Sequence, residues 1–478
     1  MEVLYLSAEA APWFKTGGLG DVASALPEAL ARLGHQVTVV TPLYGALLPG
    51  APPPAPTGLR AAVELEGGPV VLGISAAQRG RVRWIFLDEP GLYGRAGIYG
   101  EGGADYPDNA VRFGVLSAGG LAAMRALGRR PDVVHANDWQ TAPAMMLAKL
   151  APVPPRTVFT IHNLAFKGLF PPDILRRLAW PASLFTPDGL EFFGDVAFIK
   201  AGLAYADILT TVSPTYAREI TTPEMGGGLD GLLRKRDDVL HGILNGIDAE
   251  VWDPRTDRFL PARYGRGGKL SRRGGKARCK AALQEELGLR VAADRPLFAF
   301  VGRLTWQKGI DLLLALLDGP IRERAQIAIL GTGEPDLEKA LRARAAAQTS
   351  GLAVRIAFDE GLAHRMTAGA DFLLMPSRFE PCGLNQMYAL RYGTPPIVRA
   401  TGGLADTVRD ASPDLSSGTG FSFGPEEPAA LRAAVERALA AFAKPDALRA
   451  MRERAMAEDN SWEVAAARFD RLYRGLAP

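Results

Sequence analysis

Lys15 stands two residues ahead of a glycine pair in "WFKTGGLGDV", after the apolar run Val3 to Leu6 and before a helix-like stretch. A glycine-rich strand-to-helix turn lets backbone N–H groups and a helix N-terminus approach an anion, and a lysine beside them adds a cation. A tight turn with an exposed lysine accounts for the same residues. Neither usual nucleotide signature fits. Gly17-Gly18-Leu19-Gly20 is not G-x-G-x-x-G, and the next strand ends "VVTPLYG" with no acid for a ribose. A P-loop would place its lysine after the glycines. Arg303 and Lys308 in "VGRLTWQKG" form a second cationic group, a planar fork and a compact ammonium that together suit a diphosphate. Two surface cations on a loop are the plainer reading. "PSRFEPCGLNQMYAL" (376–390) sets Glu380 before the N–H groups of Gly383 and Leu384, where a helix opens. That pattern can hold a phosphate at the helix N-terminus and a sugar hydroxyl on the carboxylate. A helix cap is the other use for Glu380.

His162 ends the strand-like "FTIHN", with Asn163 after it, and "HANDWQ" puts His135 and Asp138 at the same place one strand earlier. A histidine hydrogen-bonded at a core edge fits these positions too. There is no H-E-x-x-H, C-x-x-C or G-x-S-x-G, so neither a metal site nor a serine nucleophile is indicated.

The elements that must carry these groups follow from periodicity. "EVLYLSAE" reads as a buried strand and "GDVASALPEALARLG" as a helix with Val22, Leu26, Ala29, Leu30 and Leu33 on one face. Gly34 suits its C-terminal cap, and Pro27 inside it is a kinking residue. "QVTVVTP" completes a β-α-β unit, and "PDVVHAND" and "TVFTIHN" are further strands ending in polar residues. The second half repeats the alternation, with apolar runs at 297–303, 326–331, 354–358, 371–377 and 395–400. Helices between them start near Ile310, Asp336, Leu362 and Gly383. Two such blocks predict two doubly wound parallel sheets, whose ligands bind at the carboxyl ends of the strands.

A chain of 478 residues exceeds one ordinary core and calls for two large domains or three smaller ones. With 47% hydrophobic and 22% charged residues it has a globular composition, and no apolar stretch approaches the ~18–20 residues that span a bilayer. The opening segment lacks a basic leader and does not read as a signal peptide. Cys279 and Cys382, the only cysteines, occupy unlike contexts, which argues against a disulfide framework and for a reducing cytoplasm. A net charge of +3 gives no case for nucleic acid. The basic run 263–280 is expected to be a solvated connector.

Taken together, "KTGGLGDV", "HANDW", "TIHNLAFKG", "TVSPTYAREI", "LNGID", "GRLTWQKGIDLL", "SRFEPCGLNQMYALRYGTPPIVRATGGLADTV" and "GTGFSF" resemble the bacterial glycogen synthase and plant starch synthase family. The match runs in order from residue 1 to about 470. The resemblance implies the GT-B architecture, two doubly wound Rossmann-like domains facing across a deep cleft. It assigns 1–245 to the first domain, 246–458 to the second, and 459–478 to a last helix crossing back to the first. Trp462, Val464, Ala465, Phe469 and Leu472 would form the apolar stripe of that helix.

The implied reaction is retaining, metal-independent transfer of glucose from ADP-glucose to the non-reducing end of an α-1,4-glucan such as glycogen, with no cofactor, nucleic-acid or membrane partner. By motif, Lys15, Gly17 and Gly18 belong to the donor diphosphate–glucose region, and Arg303 and Lys308 neutralise the departing diphosphate. Glu380, Cys382, Gly383 and Leu384 hold glucose hydroxyls and the distal phosphate. His162 contacts the glucose, Asn245 lies near it, and Tyr99, Asp138 and Asn163 border the acceptor. Phe358 takes the place of an adenine-stacking aromatic, while Gly331 and Thr332 line the nucleotide pocket. Two departures stand out: Asn137 and Gln140 replace family histidines, and Tyr388 stands where many related transferases carry a second glutamate.

Cations aimed at a leaving ADP stabilise the transition state without a metal. A retaining glycosidase uses two carboxylates ~5–5.5 Å apart, and the sequence identifies no such pair. Front-face attack, with the departing phosphate oxygen helping to deprotonate the acceptor, is the favoured route and double displacement the alternative. With Arg303 and Lys308 in one domain and Lys15 in the other, cleft closure is expected on donor binding. Three rivals remain: a UDP-glucose donor, a catalytically idle glucan-binding or regulatory protein, and a nicotinamide oxidoreductase. The second would be expected to have lost Lys15, Arg303, Lys308 or Glu380, and the third lacks its fingerprint.

Overall fold

The computed structural model describes residues 1–46, 51–267, 274–347 and 351–476. They divide into two compact units, Met1–Asn245 with Trp462–Pro478, and Gly246–Ser461.

The first unit is built on a nine-stranded sheet. Its strands are β1 (Glu2–Leu6), β2 (Gln36–Pro42), β3 (Ala55–Leu65), β4 (Gly68–Arg79), β5 (Val82–Asp88), β6 (Val133–Asn137), β7 (Arg156–Ile161), β8 (Ile208–Thr211) and β9 (Leu240–Gly242). In space they run β9-β8-β7-β6-β1-β2-β5-β4-β3. Every pairing from β9 to β5 is parallel, so the carboxyl ends of β1, β6 and β7 lie side by side. β1, β6 and β7 are almost wholly buried, as apolar runs covered on both faces should be. The antiparallel hairpin β3–β4 at the sheet edge was not anticipated. Much of it is exposed, and its Gly- and Ala-rich sequence carries little continuous apolar signal.

The helix Gly18–Arg32 runs unbroken across the buried Pro27. Val22, Leu26, Ala29 and Leu30 are buried as the pattern implies, whereas Leu33, at the cap, is 42% exposed. Gly34, at φ +96°, supplies the left-handed turn that ends this helix. The helix Trp462–Gly475 packs against it. Residues 459–461 stay with the second unit, where the Ile247 N–H donates to the Asn460 carbonyl (2.8 Å) and Ile247 bridges Ser461. The buried stripe is Trp462, Ala465, Ala466, Phe469 and Tyr473; Val464 is exposed and Leu472 only half-buried. Steps of three and four residues keep to one helical face, and Val464 falls off it.

The second unit carries a six-stranded parallel sheet of β10 (Leu297–Val301), β11 (Gln326–Gly331), β12 (Leu352–Ile356), β13 (Phe372–Met375), β14 (Pro396–Arg399) and β15 (Phe421–Phe423). The spatial order is β12-β11-β10-β13-β14-β15. Apolar clusters cover both faces, one holding Phe298, Ile327 and Phe372, the other Leu297, Ala328 and Leu373. The basic run is not simply a connector. Residues 268–273 lie outside the described residues, but Gly275–Glu286 is a helix. Its Lys276 ammonium is buried and donates to the Ala368 carbonyl (2.9 Å) and Thr394 Oγ1 (2.5 Å). Lys280 pairs with buried Asp371 at 2.7 Å. Hydrogen bonds and an ion pair make these cations tolerable inside. Among the described residues no helix is long and apolar enough to cross a membrane.

Candidate active site

In the first unit, the site residues gather at the carboxyl ends of β1, β6 and β7. Asn137 ends β6, and its Nδ2–H donates to the Leu6 carbonyl at 2.9 Å, which fixes the orientation of its amide. Its Oδ1 then accepts from the Tyr5 hydroxyl (2.9 Å) and from His162 Nε2 (2.9 Å). The His162 proton therefore sits on Nε2, leaving Nδ1 as an acceptor in the neutral ring. Burial lowers the pKa of this imidazole to about 4, so it is uncharged at neutral pH. Asn137 thus supplies the group that orients His162.

Asp138 follows in a left-handed conformation, φ +55°. Its Oδ1 accepts the N–H groups of His162 (2.7 Å) and Asn163 (3.3 Å), tying the end of β6 to that of β7. Burial raises the Asp138 pKa to about 7, against the downward pull of those two hydrogen bonds. His135 plays no part in this group. It is wholly buried between the Tyr473 hydroxyl (2.6 Å) and Thr160 Oγ1 (2.6 Å), and burial lowers its pKa to about 3.

The Lys15 loop holds a surprise for the anion-site reading. The carboxylate of Glu9, 3% exposed, already occupies its amides. Glu9 Oε2 accepts the Thr16 N–H (2.7 Å) and the Gly17 N–H (3.2 Å). Oε1 accepts the Thr16 hydroxyl (2.8 Å) and the Tyr99 hydroxyl (2.6 Å). The Gly17 N–H thus faces the chain's own carboxylate, and Gly18 opens the helix behind it. Lys15 pairs with Asp21 at 3.0 Å and remains 40% exposed. Tyr99 is held from behind as Asn109 Nδ2 donates to its carbonyl at 2.8 Å. Asn245 is half-buried at the last residue of the segment.

In the second unit, the adjacent ends of β10 and β13 bring Lys308 and Glu380 together. A short 3-10 turn, Trp306–Lys308, follows β10 and closes on Gly309 at φ +70°. A Cβ there would overlap the Pro376 carbonyl oxygen, so only glycine lets this turn approach the end of β13. Lys308 is ion-paired with Glu380 Oε2, and both side chains are largely buried. The Ser377 hydroxyl donates to the same oxygen at 3.0 Å. Glu380 is therefore not a cap: the helix Asn385–Arg391 starts after Leu384 with no side-chain cap. Gly383 sits at φ +69°, and the Gln386 amide donates to the carbonyls of buried Cys382 (2.9 Å) and Gly383 (3.0 Å).

Behind this loop lie Gly402 and Gly403, where a Cβ would overlap the carbonyl oxygens of Glu380 and Cys382 respectively. Arg303 is exposed, with Nη2 3.4 Å from Gln307 Oε1. Gly331 ends β11, and the Thr332 carbonyl accepts the Leu304 N–H at 2.8 Å. Phe358, just beyond β12, is 88% exposed, an aromatic face open to a planar ring.

Sequence reasoning did not single out Glu9, Ser377 or the Gly402–Gly403 pair. The one available signal for Glu9 was a lone acid just past a buried strand.

Residues 2–235 match the model of the starch synthase catalytic domain, and 288–456 that of glycosyl transferases group 1. The glycogen synthase of Anaeromyxobacter dehalogenans (strain 2CP-C) is 53% identical over the whole of both chains. That of Myxococcus xanthus (strain DK1622) is 50% identical, covering 100% of this chain and 99% of its own. The catalytic domain of starch synthase IV from Arabidopsis thaliana, solved with ADP and acarbose, superposes with a TM-score of 0.90 at 31% identity, covering 99% of each chain. The chain belongs to the glycogen synthase and starch synthase family of glycosyltransferases and has its GT-B fold of two Rossmann-like domains.

Proposed function

We propose that this chain transfers glucose from ADP-glucose to the non-reducing end of an α-1,4-glucan, with retention of anomeric configuration and with its own cations in place of a metal. The observation that carries this reading is the buried Lys308–Glu380 pair beside exposed Arg303. One Lys308 N–H is committed to Glu380, which fixes the ammonium, while the others and the Arg303 guanidinium can meet a diphosphate. As the sugar–phosphate bond breaks, negative charge grows on the diphosphate and these preorganised cations gain in effect. Exposed Phe358 suits the adenine face, and the ADP bound to starch synthase IV supports that donor.

The acceptor is assigned to the group of Tyr99, Asp138, His162 and Asn163. Neither buried carboxylate there is free to attack, since Glu9 accepts four hydrogen bonds and Asp138 Oδ1 accepts two backbone N–H groups. This supports front-face attack, in which the departing phosphate oxygen takes the proton of the acceptor hydroxyl.

A labelled-glucose transfer assay to glycogen, run with ADP-glucose and with UDP-glucose in EDTA, tests the proposal. Faster turnover with ADP-glucose is expected, undiminished by chelator. Lys308→Gln should lower kcat by ~10²–10³ with a smaller change in KM, the scale of losing one preorganised electrostatic donor. Activity lost in EDTA and restored by Mg²⁺, or a fully active Lys308→Gln, would sink the mechanism; faster turnover with UDP-glucose would overturn the donor.

A further inference from the structure

We infer that Glu9 is a positioning residue that aims Lys15, an inference resting on the transfer reaction proposed above. A carboxylate accepts hydrogen bonds and donates none, and burying one is costly unless its oxygens are satisfied. Glu9 is 3% exposed, and its four donors come from only three residues: two from Thr16, one from Gly17 and one from Tyr99. The same carboxylate therefore holds the loop after Lys15 and a tyrosine ninety residues away.

The rest of the loop is equally constrained. Ala10 and Phe14 exchange backbone hydrogen bonds, both 2.8 Å, and the Ala11 N–H donates to the Gly20 carbonyl at 3.1 Å. Gly20 passes so close to Lys15 that a Cβ there would strike the lysine side chain. With the Thr16 and Gly17 amides turned inward to Glu9, the Lys15 ammonium is what the loop presents outward, resting on exposed Asp21. The loop works as a lysine holder whose anion is built in. The nearby amides are spent on Glu9 and do not reach a substrate phosphate.

A double-mutant cycle tests this. Glu9→Gln places an amide N–H₂ or a lone carbonyl where two oxygens accepted four hydrogen bonds, and should lower kcat about 10²-fold, the scale of a misplaced reacting group, with KM for ADP-glucose changed far less. In a Lys15→Gln background the same change should cost little more, within about 3-fold, because residues acting as one unit are not additive. Thr16→Val, which removes one donor and keeps the carboxylate, should also lower kcat and guards against a Glu9→Gln that fails to fold. Hydrogen exchange of the segment 10–20 needs no substrate: Glu9→Gln should speed exchange at the Thr16 and Gly17 amides far more than at the amides of β6 and β7. An inactive wild type would refute the transfer reaction alone. Unchanged exchange, a wild-type kcat in Thr16→Val, or a fully additive fall in the double variant would overturn the inference about Glu9.

Discussion

Aspartate and asparagine tolerate the left-handed backbone of Asp138 better than other side chains do, so Asp138→Asn changes charge with little strain. Burial raises this carboxyl from its ordinary range to about 7, so between those limits the folded chain binds more protons here than the unfolded chain. Its contribution to stability is present at low pH and is lost as pH rises towards 7. His162 and His135 act with the opposite sign. Burial lowers them to about 4 and about 3, so their contribution is full above the ordinary histidine range and is lost on acidification. Asp138→Asn should therefore gain on the wild type between pH 5 and pH 7, by about 2 kcal/mol at most, and no further above pH 7. Urea midpoints of both proteins at pH 5, 7 and 8 give the measurement. Equal differences at all three would show that Asp138 is ionised throughout.

The loop carrying Glu380 depends on the helix start behind it, at Gly402. Gly402 is at φ +45°, and a Cβ on it would overlap the Glu380 carbonyl oxygen. Gly402→Ala should destabilise by about 2 kcal/mol, because backbone cannot yield as a side-chain tip does. It should also lower kcat, since Glu380 and the Lys308 paired with it must shift together. Melting and kinetics that match the wild type would refute this coupling. The legible elements were the parallel strands, whose two buried faces leave apolar runs, and the polar residues at their carboxyl ends. The half-exposed β3–β4 hairpin left no such run, and the helix Gly275–Glu286 looked like a solvated connector because its inward lysines find partners distant in sequence. Glu9 was hidden for a related reason: its partners are backbone amides and a tyrosine on another segment, and no local spacing encodes them.

At the scale of the molecule, the helix Trp462–Gly475 completes the core of the first unit although it follows the second in sequence. Phe469 packs on His135, whose Nδ1 is hydrogen-bonded to the Tyr473 hydroxyl. Phe469→Ala should cost about 3–5 kcal/mol, the range for emptying a core aromatic site. The loss should fall on one unit: amides of β1 and β6 should exchange about 10²-fold faster or more, while β10 and β11 keep their protection. Uniform loss in both sheets would refute that division. The same topology sets an order of events during synthesis. A ribosome makes the helix that covers the neighbours of β1 only after all of Gly246–Ser461 has followed β1. Domains generally fold as units while the chain emerges. The second unit can thus be complete while the first still waits, one helix short, with the Trp462, Phe469 and Tyr473 seats open to solvent and to chaperones until translation brings them in.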